Sequence, residues 1–392
     1  LLGRIVFTCY LIDREIVNEE YLGPVGSRAA KRLLDLFEGR DALDARDSLY
    51  DLFAQLRDDF NGDLFEGDLE AEKRLIDEPH IEVLRRFLRG DDLVRGQMSL
   101  GFWAYDFSVI PIETISGIYE LFLGAEDEDV RRSSGAYYTP RFLAEVVIDL
   151  ATLGWKTLLD KRFLDPACGS GIFLVGIFNR LAEEWRRNNR AAGNDERAAS
   201  LIEILKKNIF GIEVNETACR IAAFSLYLAF LDQLTPRDIR NLQSRGKALP
   251  KLVLRDGEEL ADGETRTIFR KNFFRRDIPL PDESFDLVVG NPPWAKEEGE
   301  DLRMVSWCAE EDVPIAQKQF AYGFAWKAPR HIREGGRVCF LLPAALILNH
   351  QGKSIRFQEK FFQDHIIDRL VNLSDMRLYL FDKADRPAIV MR

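Results

Sequence analysis

Phe285-Asp-Leu-Val-Val-Gly-Asn-Pro-Pro-Trp294 joins a short apolar run, rich in β-branched residues, to a Gly-Asn-Pro turn signal. Such a run fits a strand buried on both faces, and the turn ends it. A core strand therefore delivers Asn291, Pro292, Pro293 and Trp294 at its carboxyl end, which is where open α/β sheets bind ligands. A carboxamide oxygen on Asn291 can accept one N–H of an exocyclic amine, and a backbone carbonyl aimed by two φ-locked prolines can accept the other. Trp294 adds an apolar plane on which a base can stack. The same ten residues also read as an ordinary strand-ending turn with a half-buried aromatic, and taken alone they leave both readings open.

Upstream, Arg162-Phe-Leu-Asp-Pro-Ala-Cys-Gly-Ser-Gly171 runs into an apolar helix from Ile172 through Leu181. Strand, glycine turn and helix let a ligand approach the backbone, because Gly169 and Gly171 carry no Cβ. Neither the G-x-G-x-x-G of a dinucleotide site nor the Walker-type glycine loop of a nucleoside triphosphatase is present. Asp165, at the strand end, would repel a pyrophosphate and bind an ammonium group. A second short strand, Ile209-Phe-Gly-Ile-Glu213, also ends in an acid, suited to both hydroxyls of a ribose. Before these strands, Ser134-Gly-Ala-Tyr-Tyr-Thr-Pro140 opens a helix that buries Phe142, Leu143, Val146, Val147 and Leu150, with Thr139 as N-cap and Pro140 in the first turn. Its free N–H groups suit a carboxylate or phosphate, although every helix has such an end. Two strand-end acids, a glycine turn and this helix start together describe a ligand with a free amino acid portion and a ribose but no phosphate. S-adenosyl-L-methionine is such a ligand.

After Trp294, residues 295–316 are acidic and read as an irregular, mobile loop beside the site. Phe320 to Ile332 reads as a helix closed by Gly335-Gly336, followed by a buried strand from Val338 to Leu342. Ile366 to Leu373 and Ala388 to Val390 read as the last strands. His331, His350 and His365 have no metal-ligand spacing.

The first 125 residues are expected to form a helical domain, with Ile5, Val6, Cys9, Tyr10, Ile12, Ile16 and Val17 on one broad face and Pro111 opening a further helix through Phe122. Residues 126–392 form the α/β domain. The net charge of −11 is uneven: residues 1–130 hold 14 Lys and Arg against 29 Asp and Glu, and the remainder 40 against 36. The run Arg266–Arg276 (RTIFRKNFFRR) either faces phosphates or is a solvated surface stretch. Five scattered cysteines without a C-x-x-C pair imply a reduced compartment and no structural zinc. With no bilayer-length apolar run and no leader, a cytoplasmic protein that does not enter a membrane is expected. The chain begins at Leu1 and stops just after Ile389 and Val390, as a piece of a longer protein is expected to do.

With these residues in place, the chain resembles the N6-adenine DNA methyltransferases of restriction-modification and phage-defence systems, of the type IIG and type I kind. The resemblance rests on GAYYTP, DPACGSGIF, FGIEVNETA and GNPPW in that order within residues 135–392, and more loosely on Ile-Pro-x-Glu and Ile-Tyr-Glu between Pro111 and Glu120. It implies an α/β fold, a Rossmann-like methyltransferase sheet preceded by an α-helical domain. It implies double-stranded DNA as the substrate, partner subunits of a defence or restriction complex, and a target-recognition domain that is not recognisable in these residues. It further implies that Tyr138, Thr139 and Pro140 border the methionine carboxylate, with Gly135 in the same cofactor-binding set. Asp165 takes the ammonium, and Ala167 to Gly171 pass beneath it. Glu213 holds the ribose hydroxyls and Val214 packs on the cofactor's adenine. Asn272 and Phe273 stand where the family usually has Asp-Phe, with Asp277 a rival for the adenine amine. A flipped adenine is then held by Asn291 and Pro292 and stacked on Trp294. The alternatives are methylation of a protein glutamine or an RNA base, which shares the NPP-aromatic motif, and a catalytically silent cofactor-binding subunit.

Overall fold

The computed structural model describes residues 1–23, 30–60, 68–89, 139–235, 238–239, 249–261, 264–280, 283–299, 302–381 and 386–392. The helix expected from Pro111, the boundary at residue 125, Gly135 and Tyr138 lie outside the described residues. Two compact units emerge, Leu1–Tyr119 with Leu231–Lys251, and Glu120–Phe230 with Leu252–Arg392.

In the first unit, helices span Leu2–Asp13, Ala42–Phe60, Leu69–Leu75 and Glu78–Arg89. The seven apolar positions read from Ile5 to Val17 are all buried, together with Leu36, Phe37, Leu49, Phe53 and Ile81. Asp68 starts its helix by accepting from Ala71 N at 2.9 Å. The sequence reading placed Leu231–Lys251 in the α/β domain, but this stretch groups with the first unit. There the Asp232 carboxylate pairs with Arg14, and Leu234 and Ile239 are buried.

The second unit is an eight-stranded sheet. Its strands are β1 Phe163–Asp165, β2 Ile209–Glu213, β3 Val253–Leu254, β4 Ile268–Arg270, β5 Phe285–Gly290, β6 Ile332–Pro343, β7 Leu370–Asn372 and β8 Ala388–Met391, in the order β3-β4-β2-β1-β5-β6-β8-β7. The pairs from β3 to β6 are parallel, and β8 is antiparallel to both its neighbours. All six residues of β5 are buried at the sheet centre, as an uninterrupted apolar strand requires. Helix Arg141–Thr152 precedes β1, Ile172–Asn188 and Asn194–Lys207 join β1 to β2, and Glu216–Asp232 follows β2.

Three local expectations are corrected. The helix after residue 320 ends at Lys327 and passes through a 3-10 turn, Ala328–His331, because Pro329 cannot donate a helical bond. Consequently β6 starts at Ile332, and Gly335-Gly336 lie inside it, at a bulge where five steps along β6 oppose two along β5. Gly335 has φ +75°, and a Cβ on Gly336 would lie 3.0 Å from Phe285 O. Residues 295–316 are not all irregular, since Arg303–Glu310 is a helix that buries Met304, Trp307 and Cys308. Its start is capped from a distance: the buried Glu297 carboxylate accepts from Met304 N and Val305 N, both at 2.8 Å. The strand expected over Ile366 to Leu373 shortens to the three residues of β7.

Candidate active site

Strands β1 and β5 lie side by side at the point where the chain reverses its direction across the sheet. From β1 it works outward to β2 and β4, and from β5 it works the other way to β6. Such a switch point leaves a crevice outside the carboxyl ends of the strands, and both motifs end there.

Asp165 closes β1 with 1% of its surface exposed. Its Oδ1 accepts from Ala167 N at 3.1 Å, while Oδ2 is buried and has no hydrogen-bond partner among the described residues. Burial pushes this carboxyl up to about 8; the Ala167 N–H opposes the shift and the nearby Glu213 carboxylate adds to it. A buried carboxyl with one oxygen unmatched is a receptor for a cation. The strand beside it is shaped to admit it, because a Cβ on Gly290 would lie 2.6 Å from Asp165 Oδ1. Sequence reading missed this role of Gly290, although a glycine inside a strand signals close approach of other atoms. Gly290→Ala is expected to lower stability by about 1–3 kcal/mol through overpacking. An unchanged urea midpoint would contradict the packing.

The turn after β1 is held by its backbone. Gly169 and Gly171 have φ of +52° and +87°, a left-handed conformation that glycine adopts without strain, and Gly171 is the N-cap residue of the Ile172–Asn188 helix. Nothing lies within 4 Å of a Cβ built on Gly169, so this turn faces open space. Glu213, at the end of β2, braces it: Oε2 accepts from Gly169 N at 3.0 Å and Oε1 from Asn215 N at 2.8 Å. Burial raises the Glu213 carboxyl above its usual range, against the pull of those backbone N–H groups. Val214, next in sequence, is 60% exposed.

Asn291 follows β5 directly. Its Oδ1 accepts from Trp294 Nε1 at 2.9 Å, and its Nδ2 donates to Thr139 Oγ1 at 3.0 Å. Thr139 is thus not the expected N-cap. The helix begins at Arg141 with Pro140 in the N-cap position and without a side-chain cap. The open stacking plane expected of Trp294 is also absent in this conformation: the ring is 2% exposed and meets Phe381 edge-on at 5.2 Å. Pro292 is buried and Pro293 half-buried, and Arg386 donates to the Trp294 carbonyl at 3.1 Å. Next to Trp294 opens a cleft of about 910 Å³ whose walls include Lys296, Gln317, Gln319, Asn349 and Arg386. Gln317 in its wall and Lys318, next in sequence, are non-glycine residues with φ of +55° and +54°, a strained pair of the kind found around functional sites. These walls come from separate segments of the chain, so no local motif marks them.

The remaining candidates separate. Asn272 stands two residues past β4, half-buried, with Oδ1 accepting from Phe274 N at 2.9 Å. Its rival Asp277 is exposed and held by Arg275 at 2.6 Å, and that bond pulls its carboxyl down to about 2. Phe273 turns into the core, 2% exposed and stacked on Phe324 at 5.1 Å. The basic run does not present free charge. Arg266 pairs with Glu264, Arg270 with Glu216, Lys271 with Asp256, Arg275 with Asp277, and Arg276 with Glu310. Among the described residues no group of three or more His, Cys, Asp or Glu could hold a metal, and no helix is long and apolar enough to cross a membrane.

A parallel sheet with an antiparallel strand near one edge, an acid closing each of the first two strands and a glycine turn between them is the Rossmann-like fold of S-adenosylmethionine-dependent methyltransferases. Residues 111–391 match the N-6 DNA Methylase family, and the chain belongs to it. It is similar to the Type II restriction enzyme and methyltransferase RM.Eco57I of Escherichia coli, 24% identical over 70% of this chain and 31% of that protein. It is likewise similar to the adenine-specific methyltransferase PglX of Streptomyces coelicolor, 24% identical over 80% of this chain and 28% of that protein. Among solved structures, that of the Type IIL restriction-modification enzyme MmeI in complex with DNA matches 100% of this chain and 53% of its own, with a TM-score of 0.60 and 17% identity. That likeness carries the fold alone. The chain spans only 28–31% of the length of these two curated relatives. Family and fold imply the use of S-adenosylmethionine, and the unmatched, buried Asp165 oxygen fits its ammonium group.

Proposed function

We propose that the protein methylates the N6 amine of an adenine in double-stranded DNA, as the modification part of a restriction or anti-phage defence system that can include partner subunits. The observation that carries this reading is the Asn291 carboxamide, fixed at the end of β5 one residue from the Gly290–Asp165 contact. An acceptor for an amine and a receptor for an ammonium group therefore share one crevice.

When bound, S-adenosylmethionine supplies a sulfonium methyl as the electrophile. In this reading Asp165 holds the ammonium, the backbone at Thr139 and Pro140 borders the carboxylate, and Ala167 to Gly171 pass beneath. Glu213 receives the ribose hydroxyls, Val214 lies against the adenine, and Asn272 accepts from its amine. Gly135 and Tyr138 belong to the same set by resemblance. Asn291 Oδ1 accepts only the Trp294 bond among the described residues, which leaves a lone pair for the substrate amine. That acceptor and the Pro292 carbonyl align the amine nitrogen and raise its electron density as positive charge develops on it. The cleft beside Trp294 receives the extruded base, whose removal from the stack costs a few kcal/mol.

The test offers methyl-labelled cofactor to duplex DNA, RNA and protein in parallel. Label in DNA that digests to N6-methyladenine is the expected result. Label in protein glutamine or in RNA, or cofactor binding without transfer to any of the three, would sink the proposal.

A further inference from the structure

The two hydrogen bonds of Asn291 define its orientation without ambiguity. An indole Nε1–H can only donate, so the group 2.9 Å away must be the amide oxygen, and Nδ2 is thereby turned toward Thr139. A Thr hydroxyl can accept or donate, so it accommodates either arrangement and does not select one. A carboxamide turned by 180° would face two donors against each other at Trp294. It would also present an N–H to a substrate amine that needs an acceptor.

We infer that Thr139 and Trp294 are positioning residues that hold the Asn291 carboxamide with its oxygen toward the acceptor amine, Trp294 choosing the orientation and Thr139 fixing it. This inference rests on the proposed role of Asn291 as the amine acceptor. It gives Trp294 a task that a phenylalanine ring cannot perform, and it fits a ring that is buried and clamped edge-on by Phe381 rather than displayed. It also assigns the accepting side of the Thr139 hydroxyl to Asn291, while its O–H remains able to donate. Through this bond the segment that opens the Arg141–Thr152 helix is tied directly to the end of β5.

The test is carried out in the full-length protein with Thr139→Val, Thr139→Ser, Trp294→Phe and the Thr139→Val/Trp294→Phe double variant, with Asn291→Ala as reference. Thr139→Val and Trp294→Phe are each expected to lower kcat about tenfold while the Kd for S-adenosylmethionine stays within twofold. Thr139→Ser keeps the hydroxyl and is expected to recover kcat. The double variant is expected to approach the loss of Asn291→Ala. Thermal melts accompany each variant, and Thr139→Val, close to threonine in volume, separates the lost hydrogen bond from lost packing. If Asn291→Ala abolishes transfer but Thr139→Val and Trp294→Phe keep kcat within twofold, the inference is overturned and the proposed function stands. A Thr139→Val that weakens cofactor binding and leaves kcat intact also overturns it, because the hydroxyl then serves the cofactor. If Asn291→Ala itself transfers methyl groups normally, the proposed function fails first.

Discussion

Asn291→Ala is expected to lower the kcat for methyl transfer about 100- to 1000-fold, the loss that follows removal of one preorganised partner for developing charge. S-adenosylmethionine affinity is expected to stay within twofold, because the Asn291 side chain bonds Thr139 and Trp294 and not Asp165 or Glu213. The loss should appear in kcat and in kcat/KM alike, since the acceptor matters most as charge builds on the amine nitrogen. Asn291→Asp should fall between alanine and the native residue. Its carboxylate can still accept from Trp294 Nε1 and from an amine, and the Thr139 hydroxyl can reverse its role and donate. Single-turnover transfer to duplex DNA, with cofactor binding measured separately by calorimetry, checks both statements. Undiminished transfer in Asn291→Ala would remove the central residue of the mechanism.

The second large effect belongs to Asp165→Asn, which should bind S-adenosylmethionine about 10- to 100-fold more weakly and yet melt at a higher temperature when free of ligand. The affinity loss corresponds to about 1.5–3 kcal/mol for a hydrogen bond to a charged group. The stability gain follows from linkage. Burial raises the Asp165 carboxyl to about 8 in the folded chain, against an ordinary value near 4 when unfolded. Between those values the folded state retains a proton that the unfolded state has lost, so stability falls as pH rises from about 4 to about 8 and is level beyond. At pH 7 the native residue therefore weakens the ligand-free fold, and the amide, which does not ionise, removes that slope. A rise of about 2–4 °C per kcal/mol recovered is the expected scale for a domain of this size. Binding of an ammonium group to native protein below pH 8 should release a proton, which titrations in buffers of different ionisation enthalpy detect. Asp165→Asn should release none. An Asp165→Asn protein that binds the cofactor normally would exclude Asp165 as the ammonium receptor.

Much of the site was legible from short segments. Asp165, Gly169, Gly171 and Glu213 were readable because strand ends and glycine turns are local patterns with local physical causes, and each stands where its strand or turn delivers it. Asn272 and Asp277 could not be separated in the same way. Both are acceptors after the end of β4, and they differ in surroundings that the sequence does not show: Asn272 is half-buried and accepts from Phe274 N, and Asp277 is exposed and paired with Arg275. Phe273 entered the cofactor set through its place in the family's Asp-Phe pair, and its ring packs on Phe324 and Phe274. The basic run from Arg266 to Arg276 left two readings open for a related reason: its carboxylate partners include Glu216 and Glu310, far away along the chain.

By itself the sequence determined the α/β class, the two strand-end acids and the place of Asn291, because short apolar runs and turn chemistry act over a few residues. Only the tertiary structure decided what the side chains of that site do. The Thr139 hydroxyl left its helix for Asn291, the Trp294 edge took the amide oxygen, and Gly290 gave its missing Cβ to Asp165. Each of the three depends on where the chain's segments meet and on which hydrogen-bonding groups are left over once the core has packed.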